Sequence, residues 1–122
     1  MKNQLKITLP GSIRSKKNSK RIYARGPYTK VLPSRAYTIW EAEARSTMLA
    51  MGHRTLLNGP VSVEAHVYYK GPKPDLSGTL ESIGDALEGY VWANDTQIES
   101  WDGSRLHHDI ENPRTEIIVR WK

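Results

Sequence analysis

Acidic residues recur through residues 73–98 and accompany a predicted change from strand to helix. Residues 61–69 alternate apolar and polar side chains, which predicts a strand, and a Gly- and Pro-containing stretch ends it. A helix is predicted over residues 77–88, with a glycine as its stop. Asp75 therefore lies at the strand-to-helix junction, and Asp95 follows the helix closely. The fold has to place a carboxylate at each end of an acidic helix.

The predicted helix carries a row of polar groups on one face. Ser77, Glu81, Asp85 and Glu88 follow one another at spacings of four, four and three residues. Carboxylates that converge are costly unless a cation lies between them, and Mg²⁺ prefers such oxygen ligands. A solvated acidic stripe is the alternative, and it accounts better for Glu88 than for Asp85, which lies near the core-facing side. The pattern therefore favours a metal site.

Charge is distributed unevenly along the chain. Residues 1–40 contain ten Lys and Arg and no Asp or Glu, whereas residues 41–122 contain eight basic and thirteen acidic residues. A basic arm that binds a polyanion, beside acids that bind a cation, is what a metal-dependent enzyme acting on phosphodiesters needs. Charge alone is equally compatible with a basic surface loop.

Length and composition narrow the class of protein. The chain of 122 residues predicts a single domain over residues 1–122. It contains no Cys, which excludes a disulfide framework, a thiolate zinc site and a Cys nucleophile. Its four histidines form no H-x-x-x-H pair, so a zinc site is not expected. Neither a signal-peptide pattern nor a membrane-spanning stretch is present, and we expect a cytosolic protein without a membrane partner.

The remaining predicted elements complete an α+β fold. Further strands are predicted over residues 4–9, 97–108 and 115–122, and a further helix over residues 35–51. Within the second of these strands, Asp102-Gly103 forms either a bulge or a second tight turn. We expect a small mixed β-sheet with two main helices on it, in a dimeric protein.

The helix over residues 35–51 has clear boundary signals. Ser34 is placed to cap its start, and Gly52 is placed to stop it. Trp92 is expected in the core, whereas Trp101 and Trp121 are either core residues or dimer contacts. The residues expected on the buried face of this helix are Ala36, Ile39, Trp40, Ala44, Met48 and Met51.

The basic stretch over residues 12–34 has no clear period and is predicted to be a long loop, a class of segment that is usually functional or disordered. Tyr23 and Tyr28 are interleaved with its cations. Base-stacking rings among phosphate-binding side chains have this arrangement. Packing of the two rings onto the body of the protein is the alternative.

Several short motifs together resemble those of the RusA-type Holliday-junction resolvases, many of which are encoded by phages. The resemblance covers nearly the full length and includes an N-terminal segment around an Asn, here residues 15–21. In that family, a D-x-D-N segment opens a helix with D-A-L, and D-D-x-Q-[IV] follows an aromatic or aliphatic pair. The matching residues are Pro74-Asp75-Leu76-Ser77-Gly78, Asp85-Ala86-Leu87, Gly89, Trp92, Asn94-Asp95 and Gln97-Ile98.

This resemblance implies a Mg²⁺-dependent homodimeric endonuclease, for which Mn²⁺ is a possible substitute. Two symmetry-related sites would cut opposing strands of a four-way DNA junction and leave 5′-phosphates. Asp75 and Asp95 fall on two of the three acids that bind metal in the family. The compartment would be the cytosol of a bacterium or of a phage-infected host.

The chain departs from the family pattern at the remaining site positions. Ser77 replaces the second Asp of D-x-D-N, Glu81 replaces the catalytic Lys one turn later, and Asn94 replaces the first acid of the D-D pair. Because Ser77 and Glu81 share a helix face, we expect Glu81 to supply the missing carboxylate. Asp85 is the alternative ligand or a supporting group. The catalytic positive charge would then come from Lys73 or from Lys70.

The DNA-binding residues are expected in the basic N-terminal stretch. They are Arg14, Lys16, Lys17, Asn18, Lys20, Arg21 and Arg25.

Two other interpretations remain open beside the nuclease. One is a non-catalytic or weakly catalytic protein that binds DNA junctions, for which Ser77 and Glu81 are the argument. The other is a basic adaptor or structural phage protein without nucleic-acid chemistry.

Overall fold

The computed structural model describes residues 3–14, 20–25, 28–52 and 56–122, and for the strands within residues 20–33 it describes the backbone alone. In chain order, the strands are β1 (Asn3–Pro10), β2 (Lys20–Arg25), β3 (Tyr28–Pro33), β4 (Val61–Tyr69), β5 (Ile98–Ser100), β6 (Arg105–His108) and β7 (Arg114–Trp121). The helices are α1 (Arg35–Met51), which follows β3, and α2 (Leu76–Leu87), which follows β4. A short 3₁₀ helix, Asp95–Gln97, precedes β5.

The main sheet has five strands and is mixed. β1 pairs antiparallel with β7, and β7 pairs antiparallel with β4. Both β5 and β6 pair in parallel with β4, β5 near its start and β6 near its end. Parallel and antiparallel pairings in one sheet, together with two long helices, confirm the predicted α+β class.

The core lies on one face of this sheet. Along β4, residues Val61, Val63, Ala65 and Val67 are buried, and the residues between them are half-buried. They join the buried residues of both helices in one cluster, so α1 and α2 cover the same face. The strict alternation explains why the bounds of β4 were predictable from the sequence, since one face of the strand is apolar. Trp40 and Trp92 are buried in this core, as predicted.

The boundaries of α1 match the prediction, but its buried face is different. The Oγ of Ser34 accepts the N–H of Tyr37 at 3.1 Å, and Gly52 ends the helix with a φ of 73°. Ile39 and Met51 are 52% and 43% exposed, and Ala36 is also exposed, so these three expected core positions were wrong. The buried residues of α1 are Tyr37, Trp40, Ala44 and Met48.

The prediction of a long loop over residues 12–34 was also wrong. β2 and β3 pair antiparallel over all six residues of each strand and form a separate two-stranded sheet. A hairpin satisfies its backbone through its own pairing, so its sequence need not show the alternation of a strand that covers a core.

A turn divides the single strand that was predicted over residues 97–108. The N–H of Ser104 donates to the carbonyl of Trp101 at 3.1 Å, and Gly103 has a φ of 87°, which favours glycine. The Oγ of Ser104 in turn accepts the N–H of Ala65 on β4 at 2.9 Å. Asp102-Gly103 therefore belongs to a tight turn, and the chain returns to the same edge of β4 after it.

The second face of the sheet carries a polar network. A nitrogen of His66, Nε2, lies 2.6 Å from Oε2 of Glu64, and its Nδ1 lies 2.9 Å from Nε2 of His107. Arg120 donates to the other oxygen of Glu64 at 3.1 Å. The ring of Tyr68 stacks on His107 with 4.5 Å between centroids. Cross-strand pairs on adjacent strands hold this network together.

Candidate active site

The first candidate carboxylate stands immediately before α2. Asp75 has extended backbone dihedrals, as the preceding proline favours, and its carbonyl accepts the N–H of Thr79 at 3.1 Å. Its side-chain Oδ2 accepts the hydroxyl of Ser77 at 3.0 Å. The residue that replaces the second family Asp therefore contacts the residue that occupies the first. Both side chains are exposed and accessible to a ligand from solvent.

An open groove runs along α2 and the segment that follows it. Its volume is about 560 Å³. One part of its wall is polar and acidic, and the other part is apolar. We call it the α2 groove. It is lined by Ser77, Leu80, Glu81, Gly84, Asp85, Asp95, Ile98 and Trp101.

Asp95 lies beside Gly84 of α2 and is held there by a glutamate. A Cβ placed on Gly84 would lie 3.7 Å from the Cβ of Asp95, which is an ordinary van der Waals contact. Glu88, the C-cap residue that directly follows α2, accepts the backbone N–H of Asp95 through Oε1 at 2.9 Å.

The turn before β5 is fixed by two amide side chains. Asn94 accepts the N–H of Thr96 at 2.9 Å through Oδ1, and Gln97 accepts the N–H groups of Ala93 and Asn94 at 3.0 Å each. The Nε2 of Gln97 also donates to two backbone carbonyls in the segment before β4. The Asn that replaces the first acid of the family's D-D pair is therefore part of a capping box.

The structure brings three of the four predicted metal ligands to one groove. Glu81, Asp85 and Asp95 line it, and Asp75 is linked to it through the hydroxyl of Ser77. Among the described residues, no group of three or more His, Asp or Glu side chains is placed to hold a metal ion. Mg²⁺ commonly takes one or two carboxylates and completes its shell with water and substrate phosphate, and these oxygen donors fit that requirement.

Asp85 is half-buried and lines the groove. Burial of the ring is the largest cause that raises the pKa of the Tyr37 phenol, the hydrogen bond to Glu41 adds to it, and the charge of Asp85 acts in the same direction. The hydroxyl of Tyr37 donates to Oε2 of Glu41 at 2.7 Å. Asp85 therefore lines the groove and also acts electrostatically on a buried phenol of α1.

Lys73 lies on a different side of Asp75 from the α2 groove. It lines a second cavity of about 510 Å³ together with Asp75 and Arg105. Both basic side chains are exposed. Asp75 therefore contacts Ser77 and shares the second cavity with two exposed cations.

The basic N-terminal stretch begins beside α2. The hydroxyl of Ser82 donates to the carbonyl of Arg14 at 2.9 Å, and Ser82 directly follows Glu81 in the helix. Lys16, Lys17 and Asn18 lie outside the described residues. Lys20, Arg21, Arg25, Tyr23 and Tyr28 lie on β2 and β3, where the structure describes backbone alone.

Comparison with known proteins identifies the family of this chain. The family model described as endodeoxyribonuclease RusA matches residues 10–120. The chain is also 26% identical over 97 residues to the uncharacterized protein YqaN of Bacillus subtilis strain 168, covering 60% of this chain and 67% of that protein.

The mixed sheet and the groove on α2 thus define an α+β domain with a candidate nuclease site, and the chain belongs to the RusA endodeoxyribonuclease family. That family resolves Holliday junctions, which supports a nuclease over a basic adaptor protein. Among the described residues, no helix is long and apolar enough to cross a membrane.

Proposed function

We propose that this protein is a Mg²⁺-dependent endonuclease that resolves Holliday junctions as a homodimer. Its substrate is branched DNA, and two symmetry-related sites hydrolyse phosphodiesters on opposing strands. Mn²⁺ is expected to substitute for Mg²⁺, because both take oxygen ligands. The cleavage of junctions would take place in the cytosol of a bacterium or a phage-infected host. The observation that carries this proposal is the α2 groove, which is lined by Ser77 and three acidic residues.

The acidic residues divide into ligands and supporting groups. Asp95, held against α2 by Glu88, and Asp75, in contact with Ser77, are the proposed direct ligands. Glu81 is the proposed third carboxylate, since it lines the same groove as Asp95. Asp85 is the alternative third ligand or a group that orients one. When bound, Mg²⁺ would activate a water molecule and neutralise charge that develops on the phosphate.

The chain's own cations supply the remaining charge. Lys73 takes the place of the family's catalytic Lys, because it lines a cavity with Asp75. Arg105 lines the same cavity from β6 and strengthens the local positive potential. A cation near the scissile phosphate stabilises the transition state more strongly than the ground state.

The basic stretch holds the DNA next to the groove. The carbonyl of Arg14 accepts the hydroxyl of Ser82, which directly follows Glu81 in α2, so the start of the basic stretch lies beside the groove. Lys16, Lys17 and the residues up to Arg25 then extend the positive potential, which binds phosphates without regard to sequence.

A second candidate function is junction binding with weak or absent cleavage. The observation that favours it is the lack, among the described residues, of a group of three donors ready to hold a metal. Glu81 in place of a Lys points the same way, because a carboxylate repels the scissile phosphate unless a cation intervenes.

The experiment is a gel assay on a labelled four-way junction. Cleavage with Mg²⁺ that disappears with EDTA supports the nuclease, and a shifted but uncut junction supports the binder. Asp95→Asn should remove cleavage, whereas Asp102→Asn should not, because Asp102 is an exposed acid in the turn after β5 and does not line the α2 groove. Sedimentation of the wild-type protein tests the homodimer.

A further inference from the structure

The α2 groove has an apolar end that metal binding does not use. Leu80, Ile98 and Trp101 line this end, and all three are partly buried and packed against the core. Leu80 comes from α2 and precedes Glu81, while Ile98 comes from β5 and follows the turn that carries Asp95. Apolar side chains therefore adjoin the proposed metal ligands on both walls of the groove.

Trp101 is fixed in position at this end. Its carbonyl accepts the N–H of Ser104, and the Oγ of Ser104 binds the backbone of β4, so the turn that carries the indole is tied to the sheet. Its ring is partly exposed towards the groove. Gly84 lines the groove without a side chain, and a Cβ placed there would lie 3.8 Å from Cδ1 of Ile98.

We propose that Trp101, with Leu80 and Ile98, forms a subsite for a nucleobase next to the scissile phosphate. This inference rests on the proposed function, because it needs DNA in the α2 groove. A groove of about 560 Å³ is in the size range of sites that hold a small molecule. An indole offers a large flat surface on which any base can stack, independent of sequence.

The surrounding charges favour a nucleotide as the occupant. An acidic wall next to an apolar end repels an anion by itself, but it accepts a phosphate once a divalent cation is bound between them. The base attached to that phosphate then extends towards the uncharged end. The anchored carbonyl of Arg14 places the start of the basic stretch on the same helix. The acidic residues would thus bind the metal, the metal and the basic stretch would bind phosphate, and the apolar residues would contact the base.

The test places 2-aminopurine, one position at a time, at the bases that flank the crossover of a four-way junction. Measurements are made with Ca²⁺ in place of Mg²⁺, because it is a hard cation that takes the same oxygen ligands, and gel electrophoresis of each sample verifies that the DNA is still intact. The measurement is the fluorescence of 2-aminopurine, which is weak while the base is stacked on another ring. At saturating protein, we expect weak fluorescence with the wild type and with Trp101→Tyr, because the extruded base stacks on the aromatic side chain. We expect strong fluorescence with Trp101→Leu. We also expect Trp101→Leu to bind the junction about tenfold more weakly.

Trp121→Leu is the matched control. Trp121 is also partly buried against the core, but it lines a different cavity, so its replacement should leave the probe signal unchanged. If Trp101→Leu gives the same signal and affinity as the wild type, the subsite proposal is overturned. A loss of dimer on sedimentation, with an unchanged probe signal, would instead assign Trp101 to a subunit contact and likewise overturn it.

A second measurement uses the wild-type chain and does not depend on the folding of a variant. 5-Iodouracil at the same positions is irradiated in the complex, and the adduct is mapped by mass spectrometry. We expect the adduct on Trp101, and adducts confined to other residues would contradict the proposal. Cleavage of the same junction with Mg²⁺ tests the proposed function separately, because a protein that cuts without contacting a base through Trp101 refutes the subsite alone.

Discussion

The backbone N–H of Asp95 donates to Oε1 of Glu88 at 2.9 Å, across the end of α2. This contact holds a proposed metal ligand in place through an acid that the sequence pattern assigned to the solvated stripe. Because the bond uses the backbone of Asp95, it leaves both carboxylate oxygens of that residue available. Glu88 is therefore a positioning residue in the proposed mechanism.

Glu88→Ala should lower the cleavage rate about fivefold, which corresponds to about 1 kcal/mol for the removal of one hydrogen bond. Glu88→Gln should retain most activity, since its amide oxygen still accepts the N–H of Asp95. Single-turnover cleavage of a four-way junction over a range of Mg²⁺ concentrations measures the effect. Glu99→Ala, which removes an exposed acid of β5, is the control. Equal rates for wild type and Glu88→Ala would remove Glu88 from the site.

Asp75→Asn and Asp95→Asn should each reduce Mg²⁺-dependent cleavage by at least about 100-fold, because each variant lacks a metal ligand and the charge stabilisation that the bound ion supplies. Junction binding in EDTA should persist, because the loss of a negative charge does not weaken phosphate affinity. Gel shift and cleavage on one substrate separate the two effects. Wild-type cleavage by either variant would show that the substituted acid is not a ligand.

The elements whose signals are local were predictable from the sequence. The alternation along β4 and the caps Ser34 and Gly52 gave bounds for β4 and α1 that the structure confirms. These signals depend on neighbours in the sequence and need no knowledge of the tertiary fold. The same holds for the placement of Asp75 just before α2.

The features that depend on distant contacts were not predictable. The approach of Asp95 to Gly84 joins residues of two elements, and it depends on the tertiary fold and not on local sequence signals. The division of residues 97–108 follows from the edge of β4, which pairs with two short strands in succession. Tyr37 was missed because a tyrosine can be buried in a helix when its hydroxyl has a partner, here Glu41.

The network on the second sheet face should make stability depend on pH. The hydrogen bond to His66, followed by that to Arg120, holds the pKa of Glu64 below its usual value, and burial lowers the pKa of His107, with the charges of His66 and Arg105 acting in the same direction. A lowered Glu64 pKa contributes stability that is lost as pH falls through the folded value. A lowered His107 pKa means that the unfolded chain binds the proton first, so stability also falls below the ordinary histidine pKa.

We therefore expect the melting temperature to fall between about pH 7.5 and about pH 5.5, in the range where an ordinary histidine takes up its proton. His107→Gln should flatten this dependence, because the residue then carries no titrating group. His108→Gln, at an exposed neighbouring position, should leave it unchanged. Thermal melts in matched buffers provide the measurement, and a wild-type curve without slope in this range would refute the prediction.

The basic stretch should determine the salt dependence of binding. Replacement of Lys16, Lys17, Lys20 or Arg21 by Ala should weaken binding equally for all junction sequences and reduce the salt slope by about one for each phosphate that is no longer neutralised. Lys122→Ala, an exposed cation at the far end of the chain, is the control. Titrations at several salt concentrations give the slope. An unchanged slope after replacement of all four residues would assign the stretch to a solvated surface segment.

Ser77 and Glu81 should act as one exchanged pair. They lie one turn apart on α2 and line the same groove, and the extra methylene of Glu lets its carboxylate reach further than that of an Asp. Glu81→Gln should therefore be as damaging to cleavage as Asp75→Asn. The double variant Ser77→Asp with Glu81→Lys rebuilds the family pattern, and it should recover activity beyond either single change, since residues that act as a unit are not additive. Cleavage rates for the wild type, the two single variants and the double variant, with gel shifts to verify binding, test this directly. An unchanged cleavage rate for Glu81→Gln would show that Glu81 is a surface acid without a role in cleavage, and it would refute the exchange hypothesis.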